Sequence, residues 1–512
     1  DFLGITIQYE MCYTNILQIL DLAGIPLKSA HRTDEEPIVI GGGPCTYNPE
    51  PLADFFDIFY IGEGETRYRE LLDAYKESKA KGESRIEFLR KVARIPGMYV
   101  PSMYEVNYKE DGTIASFMPK EKGIPVSILK EIQMDISNTY YPMKPVVPYI
   151  KVTQDRVVLE IQRGCIRGCR FCQAGFIYRP VREKSVDTID KQSHDLCRNT
   201  GYEEFSLSSL STSDYTKLEE LLDRLLNWAE KEHTNISLPS LRVDGFSEEL
   251  ANRLNVLRRA GLTFAPEAGT QRLRDAINKN VTEDEVLTTV AKAFKGGWTA
   301  VKLYFMLGLP TETLEDVEGI AQLGQKVVNE FYNNPDKPKG KGVTVSLSTS
   351  CFVPKPFTPF QWEPQDTLEE LAAKQQHLLS SIHTKKISLS YHDAKTSFLE
   401  AVLARGDRRL CAVLEAGCKR GFNLDSWSEH FDFDAWMDIF AECGLDPAFY
   451  ANRRREYTEI LPWDHLDYGV TKSFLIRENQ LAHEASTTPN CRQACSGCGA
   501  ACWKEGVCVE KR

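Results

Sequence analysis

Three cysteines close together in the chain constrain this sequence more than anything else in it. The stretch at residues 157–182, VVLEIQRGCIRGCRFCQAGFIYRPVR, sets Cys165, Cys169 and Cys172 on a glycine-bearing loop directly after an apolar strand. Soft sulfur ligands grouped in this way select iron–sulfur clusters, and three thiolates can hold three irons of a cubane while the fourth iron stays open to a small molecule. Zinc is a second reading, although its thiols usually arrive as Cys-x2-Cys pairs from two loops, and no second pair lies nearby. A disulfide framework fits poorly, since 512 residues with an odd 15 cysteines do not describe a small secreted scaffold. Incidental thiols are the remaining reading.

The spacing Cys-x3-Cys-x2-Cys, with Phe171 just before the last thiol, resembles the signature of radical S-adenosylmethionine (radical SAM) enzymes. The resemblance implies a [4Fe–4S] cluster on Cys165, Cys169 and Cys172, with SAM chelated at the open iron. It also implies one-electron cleavage of SAM to methionine and a 5'-deoxyadenosyl radical that abstracts hydrogen from substrate. Cluster and cofactor carry that chemistry, while the protein supplies position and exclusion of water. A small electron-donor protein of the flavodoxin or ferredoxin type is the implied partner.

Length leads to an expectation of roughly three domains. With 42% hydrophobic and 26% charged residues the chain reads as an ordinary soluble protein. No apolar run reaches the roughly 20 residues that span a bilayer, and the opening DFLGITIQYE is not a signal peptide. A reducing, cytoplasmic location is expected, and no membrane partner. A net charge of -11 argues against nonspecific nucleic-acid coating. Arg405, Arg408, Arg409 and Arg453 to Arg455 read as a solvated helical face.

The first segment, residues 1–96, alternates strand and helix, which indicates a parallel sheet with crossovers. Its strands GITIQYE, PIVIGGGPC and DIFYIGEGE end in glycine loops at Gly41, Gly42, Gly43, Gly62 and Gly64, at the carboxyl edge where open sheets bind ligands. PIVIGGGPCTYNPEPLADFFDIFYIGEGE, with Glu63 and Glu65 in its acidic turn, resembles the later half of the Rossmann-like cobalamin-binding domain of one radical SAM subgroup, so the early strands of that domain are expected to be missing. Cobalamin is an open alternative, without the Asp-x-His-x-x-Gly that offers cobalt an axial histidine. His31 has the wrong neighbours. The competing reading is a docking domain that keeps the fold without the cofactor. Residues 97–150 read as a connector with a hairpin at Asp111-Gly112.

Residues 151–365 read as the core, with six strand and helix units, and in barrels the chemistry sits at the carboxyl ends of strands. Ser208 and Ser209 resemble, in place though not in sequence, the Gly-Gly-Glu that meets the SAM amino group. Arg242 fits a carboxylate or a substrate anion, Glu267 resembles a fourth-strand acid that contacts SAM, and Gly308, Leu309 and Pro310 resemble a turn that packs on adenine. The competing readings are an ion pair for Arg242, a helix cap for Glu267, and a plain turn for the Gly-Leu-Pro segment. KPKGKG, at residues 337–342, reads as a solvated loop.

Residues 366–485 read as helical, with His392, Asp393, His430, Asp464 and His465 as candidates for substrate contact or proton transfer. The tail, residues 486–512, holds Cys491, Cys495, Cys498, Cys502 and Cys508. Cys491, Cys495 and Cys498 repeat the x3, x2 spacing and Cys502 completes a set of four, so a second iron–sulfur cluster, zinc and unmetallated thiols are the three readings.

The expected fold is therefore α/β: a partial parallel (βα)6 radical SAM barrel, preceded by a truncated Rossmann-like domain and followed by a helical C-terminal region. The expected activity is radical SAM chemistry on an unknown substrate, with methyl transfer as the first reading. Methylthiolation of RNA or protein is the alternative enzyme, and a non-catalytic, metal-stabilised binding protein the alternative class.

Overall fold

The computed structural model describes residues 1–239, 262–338 and 340–503. The chain forms two compact units, each assembled from separated stretches. One comprises Met134–Phe352, Glu369–His392 and Arg477–Arg512, and the other Asp1–Gln133, Val353–Leu368 and Asp393–Ile476.

In the first of these, strands β1 (Val157–Glu160), β2 (Glu204–Ser208) and β3 (Asn235–Ser237) form a parallel sheet in the order β3-β2-β1. A second parallel sheet runs β4 (Leu262–Glu267), β5 (Ala300–Leu307), β6 (Thr344–Cys351), β7 (Ile387–Tyr391) in that order. Alternation along β5 buries Val301, Leu303, Phe305 and Leu307, while Lys302, Tyr304 and Met306 are less covered. Successive side chains of a strand point to opposite faces. That inward row packs with Val317, Ile320, Val327 and Phe331 of the helix Leu314–Asn333. The other sheet has its own core, with Leu159, Phe205 and Leu207 against Ile189, Leu221 and Leu225.

The strand β7 lies in a stretch expected to be helical. Only Ile387 of its five residues is buried, so a short edge strand carries almost no periodic signal and is defined by its pairing with β6.

The other unit carries a four-stranded sheet of Phe2–Thr6, Ile38–Gly42, Ile58–Tyr60 and Met98–Tyr99, parallel except for the last strand. A hairpin joins Tyr104–Tyr108 to Ile114–Pro119, and helices Ala394–Arg405, Leu410–Lys419 and Phe433–Glu442 belong to the same unit.

The arginines expected on a solvated face are instead internal ties, with Arg454 as the exposed exception. The Arg405 guanidinium is fully buried and donates to the Ala451 carbonyl at 2.7 Å, and Arg455 donates to the Arg405 carbonyl at 2.7 Å. Arg408 bonds Glu50 at 2.9 Å and the Tyr99 hydroxyl at 2.8 Å. Arg409 pairs with Asp407 at 2.6 Å, and Arg453 binds Glu459 through both nitrogens at 2.8 and 2.7 Å. The planar fork of arginine suits such multiple acceptance by carbonyls and carboxylates, and charge clustering in sequence does not reveal those acceptors.

Candidate functional site

After β1 the chain pairs Gln162–Arg163 with Arg182–Glu183 in antiparallel fashion, so the cysteine loop leaves and returns at one strand end. Gly164 sits at the neck with φ 79°, and a Cβ there would lie 2.7 Å from the Tyr178 carbonyl oxygen and 2.9 Å from that of Pro180. Only glycine suits that combination.

Past the neck, the Cys172 N–H donates to the Cys169 carbonyl at 3.1 Å and the Gly175 N–H to the Cys172 carbonyl at 3.2 Å, leading into the short helix Ala174–Ile177. Cys169 is buried, while Cys165 and Cys172 are half-buried. Burial pushes the Cys172 thiol up to about 12, Cys169 and Cys165 add to the shift, and the Gly175 N–H and the Lys279 ammonium oppose it. Cys172 therefore lies within electrostatic reach of both other thiols of the loop.

Among the described residues no three His, Cys, Asp or Glu side chains stand close enough to share one metal ion. A tetrahedral zinc needs its sulfurs about 2.3 Å from one centre, whereas a cubane takes one thiolate per iron.

The loop is held from several directions. The Arg170 guanidinium, fully buried, donates to the Ala276 carbonyl at 2.8 Å, the Ser486 carbonyl at 2.8 Å and Glu478 at 3.2 Å. Burial lowers the Arg170 pKa and Glu478 works against the shift. Arg167 binds Asp214 through two nitrogens at 2.9 and 2.6 Å, and the Ser211 hydroxyl donates to the same carboxylate at 2.7 Å. Asn278 Nδ2 donates to the Gly168 carbonyl at 3.1 Å. Bidentate, charge-assisted bonds of this kind fix geometry as well as adding energy.

Strand β4 ends beside this loop. Glu267 adopts φ 69°, a left-handed conformation that a non-glycine residue holds only at a cost of about 1–3 kcal/mol and that clusters at functional sites. Its carboxylate meets Lys279 Nζ at 3.0 Å, and Lys279 stands 6.0 Å from the Phe171 ring centroid. Phe171, Glu267 and Lys279 therefore gather near Cys172. Glu267 does not cap the following helix, Gln271–Ala276: its N-cap is Thr270, whose hydroxyl accepts from the Leu273 N–H at 3.3 Å.

The remaining candidates stand at carboxyl ends of strands, each in a local network. The Ser208 carbonyl accepts from the Ile161 N–H at 3.0 Å, and Ser209 lies 3.0 Å from the Thr212 hydroxyl. The Gly308 N–H donates to Glu312 at 2.7 Å, which closes the turn containing Leu309 and Pro310, and Glu312 pairs with Lys374 at 3.0 Å. Arg242 and Cys508 lie outside the described residues. In the tail Cys491 and Cys498 are buried, and Cys495 and Cys502 exposed.

Sequence reasoning did not single out Lys279, Asp214 or Glu478. Lys279 had a local signal, since it sits between Asn278 and Asn280, both at positive φ, a turn composition. Glu478 had none, being 308 residues from Arg170.

His392 and His430 are exposed, Asp393 caps the helix Ala394–Arg405, and Asp464 accepts from the Leu461 N–H at 3.1 Å.

The carboxyl edge of the four-stranded sheet is closed by its own unit. Lys355 Nζ bonds Glu10 at 2.5 Å and Glu400 at 2.8 Å, Tyr9 donates to Glu400 at 2.7 Å, and Tyr47 donates to Glu10. Burial raises the Glu10 pKa while Lys355 opposes it. A Cβ on Gly62 would lie 2.1 Å from the Glu131 carbonyl oxygen, and Glu63 accepts from the Gln133 N–H at 2.9 Å. His31 is exposed in the turn Ser29–His31, and the Ser29 N–H bonds the Asp54 carbonyl at 2.8 Å, ahead of the strand Ile58–Tyr60 rather than past its end. The described residues at this edge form neither an open cobalamin cradle nor an axial histidine. A cavity of about 540 Å³ lies at the opposite edge, lined by Lys28, Arg32, Arg85 and Arg408 among others. Each of these cations is already paired, with Glu415, Asp57, Asp57 and Glu50 respectively.

Among the described residues no helix is long and apolar enough to cross a membrane. Residues 159–324 match the radical SAM superfamily, and residues 1–101 match the N-terminal region of radical SAM proteins. An uncharacterized protein of Methanocaldococcus jannaschii is 29% identical over 86% of this chain and 87% of its own length. An uncharacterized methyltransferase of Pyrococcus horikoshii is 26% identical over 59% of this chain and 60% of its own length. Among solved structures, the radical SAM methyltransferase TsrM from Kitasatospora setae, with cobalamin and a [4Fe–4S] cluster bound, aligns at a TM-score of 0.49 and 12% identity, covering 86% of this chain and 88% of TsrM.

Proposed function

Because the chain is a radical SAM protein, we propose that it cleaves SAM reductively at a [4Fe–4S] cluster held by Cys165, Cys169 and Cys172 to methionine and a 5'-deoxyadenosyl radical that abstracts hydrogen from the substrate. The substrate radical takes its methyl group from a second SAM, which leaves as S-adenosylhomocysteine with a second electron from the reductant. The observation that carries this reading is the single loop, closed at its neck, that sets Cys165, Cys169 and Cys172 beside Phe171, Glu267 and Lys279. Bound there, a cluster supplies a low-potential electron and one iron with a free coordination position.

The chain's own residues do the rest. Lys279 places a positive charge beside Cys172 and favours thiolate over thiol. Glu267, fixed in direction by its left-handed backbone and by Lys279, presents a carboxylate to the SAM amino group. Phe171 supplies an apolar wall that keeps water from the sulfonium. Ser208 and Ser209 at the end of β2, Arg242, and the turn of Gly308, Leu309 and Pro310 complete the SAM-binding set in this reading. A one-electron donor of the flavodoxin or ferredoxin class reduces the cluster, and the protein works in the cytoplasm.

Methyl transfer is supported by the methyltransferase description of the Pyrococcus relative. Methylthiolation is the second reading, and the second set of cysteines in the tail favours it.

Anaerobic reconstitution with iron, sulfide, SAM and a chemical reductant tests the proposal. The wild type is expected to form 5'-deoxyadenosine, and Cys169→Ala to form none. Glu267→Gln, which removes a charge-assisted hydrogen bond of about 1.5–3 kcal/mol, is expected to weaken SAM binding roughly ten- to a hundredfold while iron content stays unchanged. Stoichiometric zinc on the loop, with no SAM cleavage, would remove the basis for this function.

A further inference from the structure

The tail segment TTPNCRQACSGCGAACW is polar and rich in small residues, with no apolar stripe to offset the entropy of ordering it. It is nevertheless tied at several points to the elements that hold the cysteine loop. The Cys491 N–H donates to the carbonyl of Ile166, the residue after Cys165, at 3.0 Å. Arg492 bonds the Asp214 carbonyl and, at 2.8 Å, the Thr216 hydroxyl. The Thr488 hydroxyl meets Glu478 at 2.8 Å, and the Thr488 N–H meets Asn278 at 2.9 Å. Arg477 reaches the Ser496 carbonyl.

Two acidic residues therefore serve both segments. Asp214 clamps Arg167 of the loop through its carboxylate and Arg492 of the tail through its carbonyl. Glu478 clamps Arg170 of the loop and Thr488 of the tail with one carboxylate.

Within this anchored segment four thiols fall at positions 491, 495, 498 and 502. Cys491 and Cys498 are only 8% and 6% exposed. No three of the described His, Cys, Asp or Glu side chains converge on one point. The x3, x2, x3 spacing of these four thiols offers one sulfur to each iron of a cluster.

We propose that Cys491, Cys495, Cys498 and Cys502 bind a second iron–sulfur cluster, fully ligated by protein, packed against the cysteine loop through the contact between Cys491 and Ile166. Metal binding supplies the free energy that an apolar core would otherwise provide for ordering such a segment. The site stands on its own residues, whatever the loop cluster does to SAM.

The test uses the full chain, prepared anaerobically, with iron, acid-labile sulfide and zinc counted per chain. The wild type is expected to hold about eight irons and eight sulfides, as two cubanes require. A loop variant combining Cys165→Ala, Cys169→Ala and Cys172→Ala is expected to keep about four irons and, after reduction with dithionite, a cluster signal in low-temperature electron paramagnetic resonance. A tail variant combining Cys495→Ser and Cys498→Ser is expected to lose about half of the iron. Should the tail variant misfold, the loop variant decides alone: a retained cluster supports the tail site, and its absence overturns it. Zinc at one per chain, released by the tail substitutions, also overturns it. Failure of SAM cleavage with all eight irons present would sink the proposed reaction and leave this site standing.

Discussion

At the scale of single residues, burial reassigns some polar groups that the sequence puts forward for chemistry. His465 is a candidate for proton transfer by type, yet it is 4% exposed and its ring stacks on Phe117 with centroids 4.1 Å apart. Burial holds its pKa well below the ordinary histidine value, Arg408 adds to the shift and the Pro462 carbonyl opposes it. Such a group is neutral in the fold, whereas the unfolded chain takes up its proton near pH 6.5. Stability from this residue is therefore fully present above about pH 6.5 and lost as pH falls below it, by up to about 1.4 kcal/mol per pH unit. His465→Phe, which keeps the stacking, is expected to flatten that part of the urea midpoint's dependence on pH between about 6.5 and 5; identical slopes for the two proteins would refute the assignment. Glu267 differs, because a charged partner and a strained backbone hold it beside Cys172. Its acidic type and strand-end place are visible in sequence, but the lysine that meets it is not.

At the scale of elements, the neck of the cysteine loop is the place where local chain geometry controls the site. Gly164→Ala adds a methyl group 2.7 and 2.9 Å from two carbonyl oxygens at φ 79°, so the loop ends must part. The expected result is a protein with its helical circular dichroism intact and its loop iron largely lost; full iron occupancy would show that the neck tolerates the change. The periodic elements of this unit are readable because each repeats a local pattern, as the alternation of β5 does. Strand β7 is not, because one buried residue in five leaves nothing to repeat.

At the scale of the whole molecule, each unit is assembled from stretches far apart in the chain, and the closed sheet edge depends on that. Lys355 stands between Glu10 and Glu400, which lie far apart in the sequence. Lys355→Met would leave two carboxylates buried without their cation, at a cost of about 3–5 kcal/mol, measurable as a lower urea midpoint. A triple variant that adds Glu10→Gln and Glu400→Gln should recover much of the loss, and a single variant as stable as the wild type would contradict the account. By itself the sequence determined the radical SAM class, the parallel alternation of strand and helix, and the cysteine spacings, because all of these are written over a few adjacent residues. Tertiary structure alone decided that Glu478 anchors Arg170 from 308 residues away, that clustered arginines are internal ties, and that the glycine loops of the first sheet close on their own chain. Which distant groups meet depends on packing and on satisfying every buried charge, and neither leaves a repeat in the order of residues.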